Sequence, residues 1–148
     1  TGALIGFVRP YMERYVGVLE GLMENPPEET PGWHSSELET SQDMAYDPDL
    51  VRMERAYPEM AHIPSFLPKS FQKNDGMPDV EFEGYQYFTF PMDHHEFVES
   101  GTIGNPMRAT MEKGEEAFRR LSEHTAKAVL ELTKVPVTVK NREFVDRV

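Results

Sequence analysis

Apolar and polar positions along the chain fall into a few distinct rhythms. The longest begins at Asn105 and Pro106, an N-cap and first-turn pair. After it Met107, Met111, Gly114, Phe118, Leu121, Thr125, Ala128 and Leu132 step by four and three. That spacing predicts a single helix with one buried stripe, roughly 40 Å long at ~1.5 Å per residue. Gly114 on the stripe costs about 1 kcal/mol against Ala, which points to another backbone passing close by. Upstream, Ser36 to Tyr46 favours a helix ended by Asp47 and Pro48, which in turn open a short helix through Ala56. Tyr15 to Leu22 alternates in the manner of a short strand. Val80 to Phe97 gathers six aromatics whose partial alternation predicts a strand kinked at Gly84. Val135, Val137 and Val139 alternate too, but Pro136 restricts them to an edge strand or an arm on a neighbouring subunit.

Between these segments proline takes over. Glu24 to Gly32 carries Pro26, Pro27 and Pro31 and must be a loop. Tyr57 to Asp79 holds Pro58, Pro64, Pro68, Pro78 and Gly76 with little periodicity, a long irregular stretch of the kind that is usually functional. With 148 residues and 39% hydrophobic content the chain suits one domain, and no internal repeat divides it.

Charge sharpens the picture. The net value is −11, with ten acids against Arg52 and Arg55 from Glu24 to Glu59, and seven acids with no Lys or Arg from Asn74 to Met107. Such a surface repels phosphate backbones and anionic membranes, so neither nucleic acid nor membrane is expected as a partner. From Arg108 onward nine basic residues face seven acids, as in an ordinary solvated helix and tail. The absence of cysteine excludes disulfides and thiolate metal sites, leaving His, Asp and Glu as ligands for any metal. No apolar run approaches the ~20 residues of a membrane span, and Thr1 to Met12 lacks the features of a secretory signal. A cytoplasmic location is expected.

The densest polar cluster is Trp33-His34-Ser35-Ser36-Glu37-Leu38-Glu39-Thr40-Ser41. Ser36 and Glu39 have the spacing of a capping box. The same residues also place the His34 imidazole beside the Glu37 and Glu39 carboxylates at one helix start, an arrangement suited to moving protons. Asp93-His94-His95-Glu96 is the second cluster. Adjacent side chains diverge on helix and strand alike, so these four make a poor metal site, and a polar turn or one imidazole lining a pocket is the better expectation. His62 and His124 read as solitary.

His34-Ser-Ser-Glu-Leu-Glu-Thr-Ser41 followed by Pro48-Asp-Leu-Val51 resembles the His-Ala-Gly-Glu-x-Glu-Thr-Ser and Pro-x-Leu-Val segments of the creatininase (creatinine amidohydrolase) family. Ser100-Gly-Thr-Ile-Gly-Asn-Pro-Met-Arg-Ala-Thr-Met-Glu-Lys-Gly114 is similar to that family's stretch before its last long helix. The resemblance implies an α/β fold with a mostly parallel sheet flanked by helices. It also implies hydrolysis of amide bonds, often cyclic, at a centre of two divalent metal ions (zinc, manganese or iron). It assigns proton transfer and substrate handling to His34 and Glu39 as catalytic residues; Trp33, Ser35 and Glu37, beside them in sequence, are expected as substrate-binding residues.

Three departures shape the expectation. The family's Glu-x-His motif, its downstream Asp and its Asn-Gly-His-Gly-Gly-Asn segment, which carry most metal ligands, do not occur in this sequence. Ser35-Ser36 stands for Ala-Gly, and Asn105 for Asp. The chain therefore reads as a C-terminal half whose sheet and metal site are completed by an N-terminal-half partner chain in a higher oligomer, with no metal ligand of its own. The alternative is a noncatalytic interaction subunit or fragment. Residues 57–99 form a divergent loop and aromatic segment and 135–148 a tail or arm. The aromatics, with Trp33, either line the pocket for a small amide substrate or build a core strand.

Overall fold

The computed structural model describes residues 17–24, 26–29, 32, 34–90 and 93–136. Tyr15, Val16, Trp33, Val137 and Val139, and with them most of the expected arm, lie outside the described residues.

Helix α1 spans Glu37–Tyr46. Ser36 is its N-cap in extended conformation but makes no side-chain cap bond. Glu39 instead accepts the Ser35 amide at 2.9 Å, so the reach back that a capping box requires ends one residue earlier than the sequence spacing suggests. Glu37 and Glu39 put negative charge on the first turn, where the helix dipole favours it. The helix stops at Asp47, held extended ahead of Pro48. The expected short helix through Ala56 is two separate single turns, Pro48–Leu50 and Met53–Arg55, the first capped by Asp47 accepting from the Asp49 amide.

Helix α2 spans Met111–Leu132, about 33 Å at ~1.5 Å per residue. It starts later than the sequence suggests. Asn105 caps a short turn at Pro106–Arg108, the chain extends through Ala109, and Thr110 caps the true helix by accepting from the Lys113 amide. Helices α1 and α2 cross at Gly114, where a Cβ would run into the Ser41 carbonyl and the Ala45 side chain. The close backbone inferred from this glycine is that of α1. The Ser41 hydroxyl seals the crossing, donating to the Glu37 carbonyl at 2.6 Å and accepting the Thr110 amide at 3.1 Å. Of the expected stripe, Gly114 is buried and Leu121 and Thr125 are half-buried, while Met107, Met111, Phe118 and Leu132 are exposed; the buried Ala117 lies off the stripe.

The segment ahead of α1 turns instead of forming a strand. Glu20 donates to the Gly17 carbonyl and Leu22 to the Leu19 carbonyl. These turns drop Leu19 into a core with Leu38 and Ala117, and Gly21 adopts a left-handed φ of 72° that favours glycine.

The aromatic segment is a hairpin, not one kinked strand. β2 (Asp79–Phe82) pairs antiparallel with β3 (Tyr85–Thr89) through Glu83 and Gly84, both at positive φ as a tight two-residue loop requires. β1 (Phe71–Gln72) pairs antiparallel on the other edge of β2. Phe71, Phe82, Phe88 and Phe90 pack edge-to-face and stacked around this sheet, while Tyr85 and Tyr87 stand exposed. A second core of Phe97, Val98 and Ile103, with Ala61 packed against it, lies ahead of α2. The described residues thus combine helices with one small antiparallel sheet, and no parallel pairing occurs among them. None of the described helices is long and apolar enough to cross a membrane.

Candidate active site

His34 and Ser35 both hold φ of 59°, a left-handed conformation that costs a non-glycine residue about 1–2 kcal/mol. Two sets of contacts fix them there. The His34 carbonyl accepts the Ile103 amide at 3.0 Å. Ser35 gives its amide to Glu39 and its carbonyl to the Thr40 hydroxyl. The two residues line different hollows. Ser35 borders a hollow of about 220 Å³ with Thr40, Asp43, Thr102 and Pro106. The other cavity, of about 270 Å³, is bordered by His34, Gly76, Pro78, Phe90, Asp93, His94, Phe97 and Ile103.

The structure brings His34 and His94 together across 60 residues. Their ring centroids are 4.8 Å apart in an edge-to-face arrangement. His94 is held by its Nε2, 3.1 Å from the Gly101 carbonyl. Both imidazoles are thus docked on residues 101–103, one through its backbone and one through its ring. That platform is clamped from below by Glu59, whose carboxylate accepts the amides of Glu99 and Ser100 at 2.6 and 2.8 Å and the Ser100 hydroxyl. Glu59 and Gly104 also exchange backbone bonds. Burial pushes the Glu59 carboxyl up, but the Ser100 hydroxyl, the two amides and the nearby His62 outweigh it and hold it below its ordinary value.

The far wall of the cavity depends on Lys73, whose side chain is almost wholly buried. Its ammonium donates to the Asp75 carboxylate at 3.1 Å, the Asp79 carbonyl at 2.7 Å and the Met77 carbonyl, and lies 5.0 Å from the Phe97 ring centre. It sits inside the 75–79 loop much as a bound cation would. Burial pulls this ammonium below its usual value, against the opposing charges of Asp75 and Asp79. Sequence reading passed over Lys73, and its position beside Asp75 in a proline-rich stretch was the available signal.

The remaining candidates serve other ends. Glu37 is buried, accepting from Lys113 Nζ at 2.5 Å and from the Glu24 amide at 2.9 Å. Glu29, also buried, accepts from Arg108 at 2.5 Å. Arg108 also pairs with Glu24 at 3.1 Å, and Lys113 donates to the Arg108 carbonyl at 3.0 Å. Burial lowers the Arg108 guanidinium, but its bond to Glu29 and the charges of Glu29, Glu24 and Glu37 more than reverse this and hold it above its usual value. This charged web ties the first motif to the second. Glu39 is engaged at the Ser35 amide, and Trp33 lies outside the described residues. Asp93 and Glu96 cap the His94–Glu96 turn reciprocally, so this cluster is a polar turn that turns one imidazole toward a cavity.

Among the described residues no three His, Cys, Asp or Glu side chains converge to hold a metal ion. One buried carboxylate oxygen, Glu29 Oε2, is without a partner, and a single oxygen beside Gly104 and Ser36 is not a metal site. The described residues therefore do not fit the two-metal centre.

A family model, Creatininase, described as creatinine amidohydrolase, matches residues 8–129. No curated protein and no solved structure matches the chain.

Proposed function

Since the chain belongs to the creatininase family, whose chemistry is that of metal-dependent amidohydrolases, we propose that it forms the proton-handling side of a site that hydrolyses a small amide at its C–N bond, most simply a cyclic one. The observation that carries this reading is the cavity itself: the imidazole of the first motif and a second imidazole border one hollow of about 270 Å³ with aromatic walls. Hydrolysis adds water across the C–N bond, the oxygen going to the carbonyl carbon and a proton to the departing nitrogen. His34 supplies that proton, and Glu39 keeps the backbone that presents it in place through Ser35. Trp33, Ser35 and Glu37 flank His34 in sequence as substrate-side residues, Ser35 from the neighbouring hollow and Glu37 by anchoring the start of α1 to Lys113.

Metal ligands, in this reading, come from a partner chain carrying the N-terminal half of the domain, which also completes a layered, mostly parallel sheet. Two features support it: the described residues do not gather a metal-binding group, and α2 leaves Phe118, Val129, Leu130 and Leu132 exposed along its length. The acidic, cysteine-free composition suits a cytoplasmic setting. A noncatalytic interaction subunit is the second reading, favoured by the same lack of a metal-binding group.

The test is turnover of the natural assembly on a panel of cyclic amides, with metal analysis of the same preparation. His34→Ala is expected to lower turnover by about 10²- to 10⁴-fold with metal content and fold retained, and His124→Ala to leave it unchanged. Absence of both transition metal and amide hydrolysis in the assembled protein would establish the interaction subunit instead.

A further inference from the structure

We propose that His94 is the ligand-contacting acceptor of the His34 cavity, its Nδ1 taking a hydrogen bond from the ring N–H of a small, uncharged or cationic planar heterocycle. The proposal rests on the amide-hydrolysing reading of that cavity and names a residue that would select its substrate.

The argument starts at Gly101. Its carbonyl oxygen accepts only, so the His94 Nε2 that lies 3.1 Å from it must carry the hydrogen. A neutral imidazole has one N–H, which leaves the lone pair on Nδ1 as the ring's acceptor. Gly101 holds a φ of 88°, a backbone state favouring glycine, so the second motif fixes the tautomer of a histidine outside it. The surroundings define what meets that acceptor. Phe90 and Phe97 border the cavity as flat apolar walls, and Asp93 adds an acidic side chain. Among the described residues that border it there is no Lys or Arg, and Lys73, behind Phe97, is saturated by Asp75 and two carbonyls. An anion finds no counter-charge among these described residues, whereas a flat ring with an N–H finds walls and acceptors. A site built to accept a hydrogen bond discriminates strongly against an analogue lacking the donor.

Binding of γ-butyrolactam and its N-methyl derivative to the full chain, followed by NMR, tests this without relying on turnover. The wild type should bind the N–H lactam at least about tenfold more tightly, a difference of about 1.4 kcal/mol, with both His34 and His94 ring signals shifting. His94→Gln keeps a donor for Gly101 but no acceptor at the Nδ1 position, and should abolish the preference. His94→Asn keeps an oxygen near that position and should restore it to within about threefold of wild type. Equal binding of the two lactams, a preference that survives His94→Gln, or binding of neither overturns the proposal. A ring-nitrogen spectrum of the wild type showing hydrogen on Nδ1 of neutral His94 also overturns it, whatever the folding of the variants. Hydrolysis that requires His34 but shows no lactam preference removes the role of His94 alone. A clear preference in an assembly that hydrolyses no amide removes the amidohydrolase reading and leaves the acceptor in place.

Discussion

At Glu37 a single carboxylate joins two stretches that local sequence reading treats separately. It is buried, and Lys113 lies 76 residues away on the first turn of α2. Removing one member of a buried pair strands the other, a cost of about 3–5 kcal/mol when both are fully buried. Lys113 keeps about a quarter of its side chain in solvent, so Glu37→Gln is expected to cost less, about 2 kcal/mol, in urea unfolding. A variant as stable as wild type would show the pair to be incidental. Glu37 also illustrates what the sequence conceals. Its proximity to His34 was legible, and so was its place on the first helical turn. Its partner was not, because nothing in the local pattern says which Lys of nine C-terminal basic residues closes on it. His94 was likewise legible as a polar turn beside a pocket, but its meeting with His34 depends on Gly101 and Ile103 placing both on one platform.

Helix α2 and the platform before it make their predictions as elements. Alanine favours a helix over glycine by about 1 kcal/mol, yet Gly114→Ala would drive its methyl into the Ser41 carbonyl. Overpacking typically costs about 1–3 kcal/mol, so the variant should be less stable by denaturant unfolding; a stabilised protein would mean that the crossing of α1 and α2 is loose. Glu59 gives a pH signature. Its folded carboxyl lies below the ordinary value of 4.5 to which unfolding returns it. Its contribution is therefore complete above that value and is lost as pH falls through the lower, folded one. Thermal unfolding of wild type and Glu59→Gln should show a gap at about pH 6 that narrows as pH falls below the ordinary value of 4.5; a gap independent of pH would assign the effect to shape. The close crossing at Gly114 was legible because glycine is costly on a helical stripe. The hairpin was not, because Glu83-Gly84 is a less telling pair than Asn-Gly or Asp-Gly, and the start of α2 moved because Ser41 captures the Thr110 amide from outside the helix.

For the whole molecule, the period of α2 predicts a buried stripe, and the periodicity is real, but burial depends on a neighbour, which is present only around Gly114 to Leu121. Leu121, Thr125, Ala126, Val129 and Leu130 border an open apolar hollow. Under the two-chain reading that face meets the partner, so Val129→Glu combined with Leu130→Glu should reduce the mass of the natural assembly in native mass spectrometry while leaving the circular dichroism of the chain unchanged. An assembly of undiminished mass would place the partner elsewhere. The aromatic segment divides between both expectations: Phe82 and Phe88 pack on the sheet, Phe90 and Phe97 border the cavity, Tyr87 lies exposed with its ring 4.3 Å from that of Phe88, and Tyr85 is exposed.

The ammonium of Lys73 has a consequence of a different kind. Because one primary amine, withdrawn from solvent, gathers Asp75, Met77 and Asp79, the wall beside Phe97 is secured by a group open to acylation only when the wall itself comes apart. Acylation would then remove the charge and prevent re-closure, converting a brief opening into a permanent covalent mark. Set against the exposed Lys134, its rate of acylation would measure how often that wall opens.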